Sequence, residues 1–221
     1  MSNNYFFLSL EKALISLLVL CFFSGYVFSQ DVYTNKESAT FSFTVGLTSS
    51  ELYHDTIQYS SGILFNGGFV YTLTFSDKIN GGIELLYTGK AVRKENPIIK
   101  YRFGYIDLPV YVQYKFSEGI RANIGFQYSK YMNSQYLFLD GSKSNGMHLK
   151  SLSSNLDNDY DILLGAEINL SKDIELAARY TLSAKSFMDK SSPYFGVFQL
   201  SFKYVAFRSY KQIFHKKEIA K

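Results

Sequence analysis

Cysteine, proline and tryptophan are scarce in this sequence, which contains one cysteine, three prolines and no tryptophan. The single cysteine, Cys21, lies in a segment that we expect to be removed on export, so the mature chain would have no thiol. Disulfides, thiolate nucleophiles and thiolate metal sites would then be excluded. The few prolines, together with 19 tyrosines and 20 phenylalanines, favour strands over helices. No segment shows a sustained helical period.

The chain also lacks a strong excess of either charge, with 23 basic and 19 acidic residues. A net charge of +4, without a clustered basic helix or an aromatic and basic platform, does not indicate nucleic-acid binding. The histidines, His54, His148 and His215, are scattered, and no acidic cluster has the spacing of metal ligands. The sequence therefore predicts no nucleic-acid partner, no metal and no cofactor.

The N-terminal segment, residues 1–29, has the features of a signal peptide. Lys12 is followed by an apolar run over residues 13–23, which is too short to cross a membrane as a helix. Ser29 then supplies a small residue before Gln30. We expect export, with cleavage near Ser29 and Gln30, and the alternative is an uncleaved anchor.

The clearest strand pattern runs from residue 105 to residue 116, where alternate residues differ in polarity. One face is wholly apolar and consists of Ile106, Leu108, Val110, Val112, Tyr114 and Phe116. A period of two indicates a strand, and about ten such residues are what a tilted strand needs to cross a bilayer. Seven other segments alternate similarly. The eight predicted strands cover residues 40–48, 64–75, 79–92, 101–116, 120–132, 160–170, 174–184 and 194–205.

The connections between these strands alternate in length. Tight turns are predicted at residues 76–78, 117–119 and 171–173, and longer polar connections at residues 49–61, 93–100, 134–158 and 186–193. Short turns at one end and long loops at the other are typical of outer-membrane barrels. The predicted fold is therefore all-β: an eight-stranded antiparallel transmembrane β-barrel with short periplasmic turns and longer extracellular loops.

Charged residues recur on the polar faces of the strands, opposite the apolar faces. These are Glu84, Asp107, Lys115, Arg121, Glu167, Glu175, Arg179 and Lys203. A dry soluble core would hold eight charges only if all of them were paired. Placing them in a barrel lumen, with the apolar faces in lipid, costs less, and a closed barrel also satisfies every strand edge. Four acids and four bases predict a charge network inside the lumen.

The resulting layout has four parts: a signal peptide (1–29), a periplasmic lead (30–39), the barrel (40–207) and a basic C-terminal tail (208–221). We interpret the tail as a solvated end, with contact to an acidic periplasmic partner as the alternative. Pro109 falls within a predicted strand and lacks an N–H donor, so it predicts a bulge or broken pairing.

The segment YIDLPV at residues 105–110 resembles a motif of the PorT-like outer-membrane β-barrel family of Bacteroidota. Tyr105, Asp107 and Pro109 occupy the motif positions, and the resemblance extends over residues 39–207. The long tail departs from the short C-terminal end usual in the family. The resemblance implies an outer-membrane location in a Gram-negative cell. It implies no particular activity, although some members are linked to secretion and gliding machinery.

The long connection at residues 134–158 is the best candidate for a binding surface, because loops on a rigid barrel commonly carry binding. It contains Tyr136, Phe138, Met147 and His148. A different interpretation is that residues 136–139 prolong strand five above the membrane.

The sequence favours a non-enzymatic, porin-like barrel with a structural, docking or secretion-accessory role, because eight strands enclose little more than side chains. Its expected partners are outer-membrane lipid and proteins of secretion or gliding machinery. One alternative is a lipid-modifying barrel enzyme with His148, Ser144 and Asp140 as a weak catalytic set. The other is a soluble periplasmic barrel that binds a small ligand. No catalytic residue is assigned.

Overall fold

The computed structural model describes residues 35–53, 59–94, 99–138, 158–184 and 194–212. These residues form eight β-strands, and none of their segments is a helix long and apolar enough to cross a membrane. The strands are β1 (Asn35–Tyr53), β2 (Tyr59–Thr74), β3 (Ile79–Lys94), β4 (Ile99–Lys115), β5 (Ile120–Phe138), β6 (Asp159–Asn169), β7 (Ile174–Ser183) and β8 (Tyr194–Gln212). The predicted number and order of strands are confirmed.

The strands pair in sequence order and close into a single barrel, in which β8 returns to β1. The pairings from β2 through β8 are antiparallel. Closure matters in lipid because an open strand edge would leave backbone N–H and C=O groups without partners. The predicted eight-stranded antiparallel barrel is therefore confirmed.

Three short turns with one shared construction close the end of the barrel opposite the long connections. Each places a serine three residues before the isoleucine that opens the next strand: Ser76 and Ile79, Ser117 and Ile120, Ser171 and Ile174. In all three, the serine N–H donates to the isoleucine carbonyl, at 3.0, 3.4 and 3.1 Å. In two of them, the serine hydroxyl also accepts from the isoleucine N–H. Serine favours such turns because its side chain bonds to nearby backbone.

Several strands extend further than their alternation predicts. β1 continues to Tyr53 and β2 begins at Tyr59, within the connection predicted at residues 49–61. β5 continues to Phe138 and β8 to Gln212, where ends were predicted at residues 132 and 205. The alternation fades in these stretches because segments beyond the lipid have no uniformly apolar face. The extensions of β1, β2 and β5 continue the hairpins beyond the apolar band at the loop end, whereas that of β8 lies at the turn end.

The two faces of the sheet separate as the alternation predicts. Outward side chains are apolar and uncovered, as shown by Val45 at 63% exposed and Phe126 at 73% exposed. Inward polar side chains are buried, with Glu84 at 2% and Asp107 at 0% exposed. A barrel dissolved in water would show the opposite pattern, with its apolar faces inside. The exposed band is therefore the lipid-facing surface.

Tyrosines concentrate on the outward faces near the loop end of the barrel. Tyr53 stacks on Tyr194 at 5.1 Å between ring centroids, and Tyr128 contacts Tyr160 at 5.3 Å. Near the turn end, Tyr114 packs edge-to-face on Phe116 at 5.0 Å. Aromatic girdles at both margins of the apolar band are typical of barrels in the outer membrane, because amphipathic rings suit the lipid–water boundary.

Pro109 interrupts the sheet on one side only. On the β5 side, Pro109 pairs with Gln127 in register. On the β3 side, Pro109 and Leu108 have no paired residue, and the pairing resumes at Asp107 in the same register. The interrupted pairing predicted from the missing N–H is confirmed, and no bulge forms at the proline. The register shift between β4 and β5 lies at Gly104 and Tyr105 instead.

Residues 40–208 form one compact unit, which contains the barrel wall and its lumen. The second unit comprises residues 1–39 and 209–221, of which the structure describes 35–39 and 209–212. Within that second unit, the Ser38 hydroxyl donates to the carbonyl of Ser209 at 3.1 Å. Because β8 reaches Gln212, the first residues of the predicted tail are strand. Residues 1–29, the predicted signal peptide, lie outside the described residues.

Candidate functional site: the barrel lumen

The lumen near the turn end contains a buried ion network centred on Lys203. Its ammonium group lies 3.2 Å from a Glu84 carboxylate oxygen and 2.5 Å from one of Glu167. Arg179 donates to the same Glu84 oxygen at 2.6 Å. All four side chains are less than a tenth exposed. These contacts join β3, β6, β7 and β8 across the interior.

Arg121 extends this network towards the turns. Its guanidinium pairs with Glu175 at 2.8 Å, approaches Glu167 at 3.6 Å, and donates to the Asn169 amide oxygen at 2.8 Å. The network as a whole therefore has three acids and three bases. A balanced set is required because an unpaired charge held out of water costs several kcal/mol, on the order of 3–5.

Neutral side chains add hydrogen bonds to the two central carboxylates. The Tyr111 hydroxyl donates to Glu84 at 2.7 Å. Gln113 and Asn123 donate to the two oxygens of Glu167 at 2.8 and 3.1 Å. Buried carboxylates that accept several bonds are stable as anions, but they are not free to act as bases or nucleophiles. The arrangement is that of a structural network.

The Tyr111 ring is held between glycines on both neighbouring strands. Tyr111 is opposite Gly82 on β3 and opposite Gly125 on β5. A Cβ on Gly82 would overlap the ring, and one on Gly125 would lie 2.6 Å from both Cα and Cβ of Tyr111. The two glycines thus provide the space through which the tyrosine reaches Glu84.

A second polar cluster lies nearer the loop end. The Asp161 carboxylate accepts from Gln127 at 3.1 Å and from the Ser129 hydroxyl at 3.0 Å. Lys90 is 1% exposed, and its Nζ lies 4.2 Å from the Tyr105 ring centroid, a cation–π distance. Neither Asp107 oxygen has a hydrogen-bond partner among the described residues. This cluster is less completely satisfied than the ion network.

Apolar and aromatic side chains fill the lumen at the loop end. This aromatic plug consists of Leu52, Val92, Tyr101, Phe103, Tyr105, Phe195 and Val197, with Tyr59 and Tyr131 packed against it. Phe195 contacts both Phe103 and Tyr105 edge-to-face, at 5.6 and 6.3 Å between centroids. These rings come from strands on both sides of the lumen.

Beside the ion network, a small cavity borders Asn66, Glu84, Arg179 and Lys203. It has room for about one water molecule. Eight strands enclose an interior just wide enough for side chains, and here those side chains occupy it. The described lumen is closed.

The structure joins six of the eight predicted lumen charges in one network: Glu84, Arg121, Glu167, Glu175, Arg179 and Lys203. The other two lie apart from it. Asp107 is inside the lumen but belongs to the second cluster, and Lys115 is half-buried without an ion pair to any described residue. The sequence analysis did not include Lys90 among the lumen charges. The signal was present, because Lys90 has the same alternation on β3 as the inward residues Glu84 and Thr88.

The motif and loop residues predicted as functional fall in different places. Tyr105, Asp107 and Pro109 are all buried on the inward face of β4. Tyr136 and Phe138 belong to β5 and not to a loop, with their backbones opposite Tyr101 and Ile99. This agrees with the interpretation that residues 136–138 prolong strand five.

Met147 and His148 lie outside the described residues, as do His54, His215 and the weak catalytic set of Ser144 and Asp140. Among the residues that are described, no group of histidine, cysteine, aspartate and glutamate is arranged to hold a metal ion.

A closed, lipid-facing antiparallel barrel with a filled interior defines a small transmembrane barrel of the outer-membrane type. The family model described as outer membrane protein beta-barrel domain matches residues 28–188, and the chain therefore belongs to that family. The predicted outer-membrane location is thereby supported directly. Cleavage of the signal peptide remains a prediction.

Solved structures of small barrels are similar to this chain at low identity. Ail, the attachment invasion locus protein of Yersinia pestis, is 16% identical, with a TM-score of 0.45; the match covers 76% of this chain and 99% of Ail. OprG from Pseudomonas aeruginosa is 14% identical, with a TM-score of 0.40, covering 81% of this chain and 100% of OprG. Neisserial surface protein A is 11% identical, with a TM-score of 0.44; the match covers 76% of this chain and 99% of that protein. None of the curated proteins compared with the chain matches it.

Proposed function

We propose that this protein is a non-enzymatic, PorT-like barrel that serves as a docking or accessory component for secretion at the outer membrane. The observation that carries the proposal is the closed lumen. Ion network, polar cluster and aromatic plug together occupy the described interior from the turn end to the loop end. The remaining functional surfaces are those outside the lumen, chiefly at the loop end.

The chemistry of the lumen supports a role without catalysis. Glu84 and Glu167 each accept hydrogen bonds from three donors, at least one of them a cation, so both carboxylates are held within the network. Substrate access would also require displacement of the Phe103 and Phe195 rings. The strands that rise above the apolar band on the loop side instead provide a rigid base for a protein contact.

Purified protein in planar lipid bilayers is expected to give no large, steady conductance, because the plug and the network leave no continuous water path. The measurement is single-channel recording at both polarities, with a general porin inserted under the same conditions as the positive control. Long-lived, uniform conductance steps from the parent protein would contradict the closed lumen and the docking role that rests on it.

Loss of the loop-end surface is expected to reduce secretion several-fold. A strain that lacks the protein would be complemented with the parent chain, or with a chain in which residues 139–157 are replaced by a short glycine–serine linker. The quantity measured is the amount of exported protein in the medium, with barrel abundance checked by immunoblot. Replacement of residues 185–193 in the same way is the matched control.

The outcomes separate two parts of the proposal. If the strain without the protein secretes as well as the parent strain, the secretion role is wrong. If the strain without the protein secretes poorly but the chain with residues 139–157 replaced restores normal secretion, the secretion role stands and docking through this connection is wrong.

A further inference from the structure

Four cations lie together on the outward face of β3, β4 and β5 near the loop end. We call this set, Arg93, Lys100, Arg102 and Lys130, the basic patch. Arg93 is directly opposite Lys100 across the β3–β4 ladder. Arg102 follows two residues later on the same face of β4, and Lys130 is opposite Ile106 on β5. Arg93 and Lys130 are exposed, and the other two are half-buried.

The basic patch has no counter-charge among the described residues. No described carboxylate lies within ion-pair distance of any of the four side chains. The Nε atom of Arg102 is buried, and no acceptor is within hydrogen-bond distance. Like charges directly opposite each other, such as Arg93 and Lys100, destabilise a strand pair. An external anion would remove that repulsion.

The position of the basic patch is the upper margin of the lipid-facing band. Outward side chains level with its lower end or just below it are apolar or aromatic: Tyr87 is exposed, and Ile106 and Tyr128 are half-buried. The corresponding outward positions on β6, β7 and β8 are uncharged, and β1 has an acid there, Glu51. The uncharged positions are Tyr160 on β6, Tyr180 and Leu182 on β7, and Tyr194 and Phe198 on β8. The patch is thus confined to one side, at the level where lipid headgroups begin.

We propose that the basic patch binds the phosphate groups of a phosphorylated glycolipid in the leaflet on the loop side of the membrane. Guanidinium groups match phosphate oxygens by paired hydrogen bonds, and lysines near a membrane surface add electrostatic attraction. Along β4, the four residue steps from Arg102 to Ile106, which lies opposite Lys130, span about 13 Å. That length is too great for one phosphate, so the ligand carries at least two.

The test measures glycolipid binding to the full chain purified from membranes in detergent. Native mass spectrometry would compare bisphosphorylated lipid A with the same lipid after enzymatic dephosphorylation. The variant K100Q/R102Q/K130Q is expected to bind the bisphosphorylated form about tenfold more weakly or worse. The parent should bind the dephosphorylated form as weakly as the variant does. Inorganic phosphate at millimolar concentration should not displace the lipid.

Two further variants guard against a folding artefact. K100R/R102K/K130R keeps the charge and is expected to retain binding, whereas K78Q/K172Q removes two cations at the turn end and is expected to leave binding unchanged. Heat-modified mobility in gels confirms that each variant is folded. The proposal is wrong if the triple glutamine variant binds like the parent, if dephosphorylation has no effect, or if free phosphate competes fully.

Discussion

Replacement of Lys203 by methionine is expected to lower the free energy of unfolding by about 3–5 kcal/mol. Lys203 is the only cation in the described lumen that contacts both Glu84 and Glu167, at 3.2 and 2.5 Å. Methionine has a similar length and no charge, so packing is largely kept while two buried carboxylates lose a shared partner. The remaining network would have three acids and two bases.

Urea unfolding of the barrel in lipid vesicles measures this loss. Because the chain has no tryptophan, tyrosine fluorescence and circular dichroism are the suitable signals. K115M is the matched control, since Lys115 has no described ion pair and should lose less than about 1 kcal/mol. Neutralising one carboxylate as well, in K203M/E167Q, should recover part of the loss. Equal stability of K203M and K115M would show that the network contributes little.

Valine at position 125 is expected to destabilise the barrel by about 3 kcal/mol, or to prevent folding altogether. A Cβ at Gly125 would lie 2.6 Å from Cα and Cβ of Tyr111, a distance that real Cβ contacts do not reach. The obstacle is backbone on β4, so rotation of one side chain does not relieve it. Strands β4 and β5 would have to separate locally, and Tyr111 would lose its position beside Glu84.

The fraction of folded G125V can be measured by heat-modified mobility in gels and by urea unfolding in vesicles. Gly119 provides the control, because a Cβ there meets nothing within 4 Å. G119V should therefore remain close to the parent in stability. A folded G125V with parental stability would show that the two strands are further apart than the register of Tyr111 and Gly125 implies.

The barrel could be predicted from the sequence because lipid imposes one simple rule on every strand. Alternation such as that of Val110 and Val112 against Tyr111 and Gln113 records which side faces hydrocarbon. The rule does not apply where the strands leave the lipid. The alternation therefore predicts an end of β5 at residue 132, whereas the strand continues to Phe138. Residue type no longer distinguishes the two faces there.

The sequence predicts which charged residues lie in the lumen but not which of them pair with each other. Inward charges could be identified strand by strand, yet the pairing of Glu84 with Arg179 joins residues 95 positions apart on strands that are not neighbours. The aromatic plug was missed for a related reason. Phe103 and Phe195 are apolar and point inward, so a rule that assigns apolar residues to lipid places them on the wrong face.

The sequential strand order also determines how the barrel can assemble. Every neighbouring pair except β1 and β8 connects segments that follow each other in the chain, so those pairings need only local encounters with a small entropy cost of loop closure. The seam between β1 and β8 must wait until the whole sheet exists. Until then, the two outermost strands have unpaired backbone edges that hydrocarbon does not tolerate. We therefore expect ring closure at this seam to be the last pairing to form, and the two edges to be kept from hydrocarbon until then.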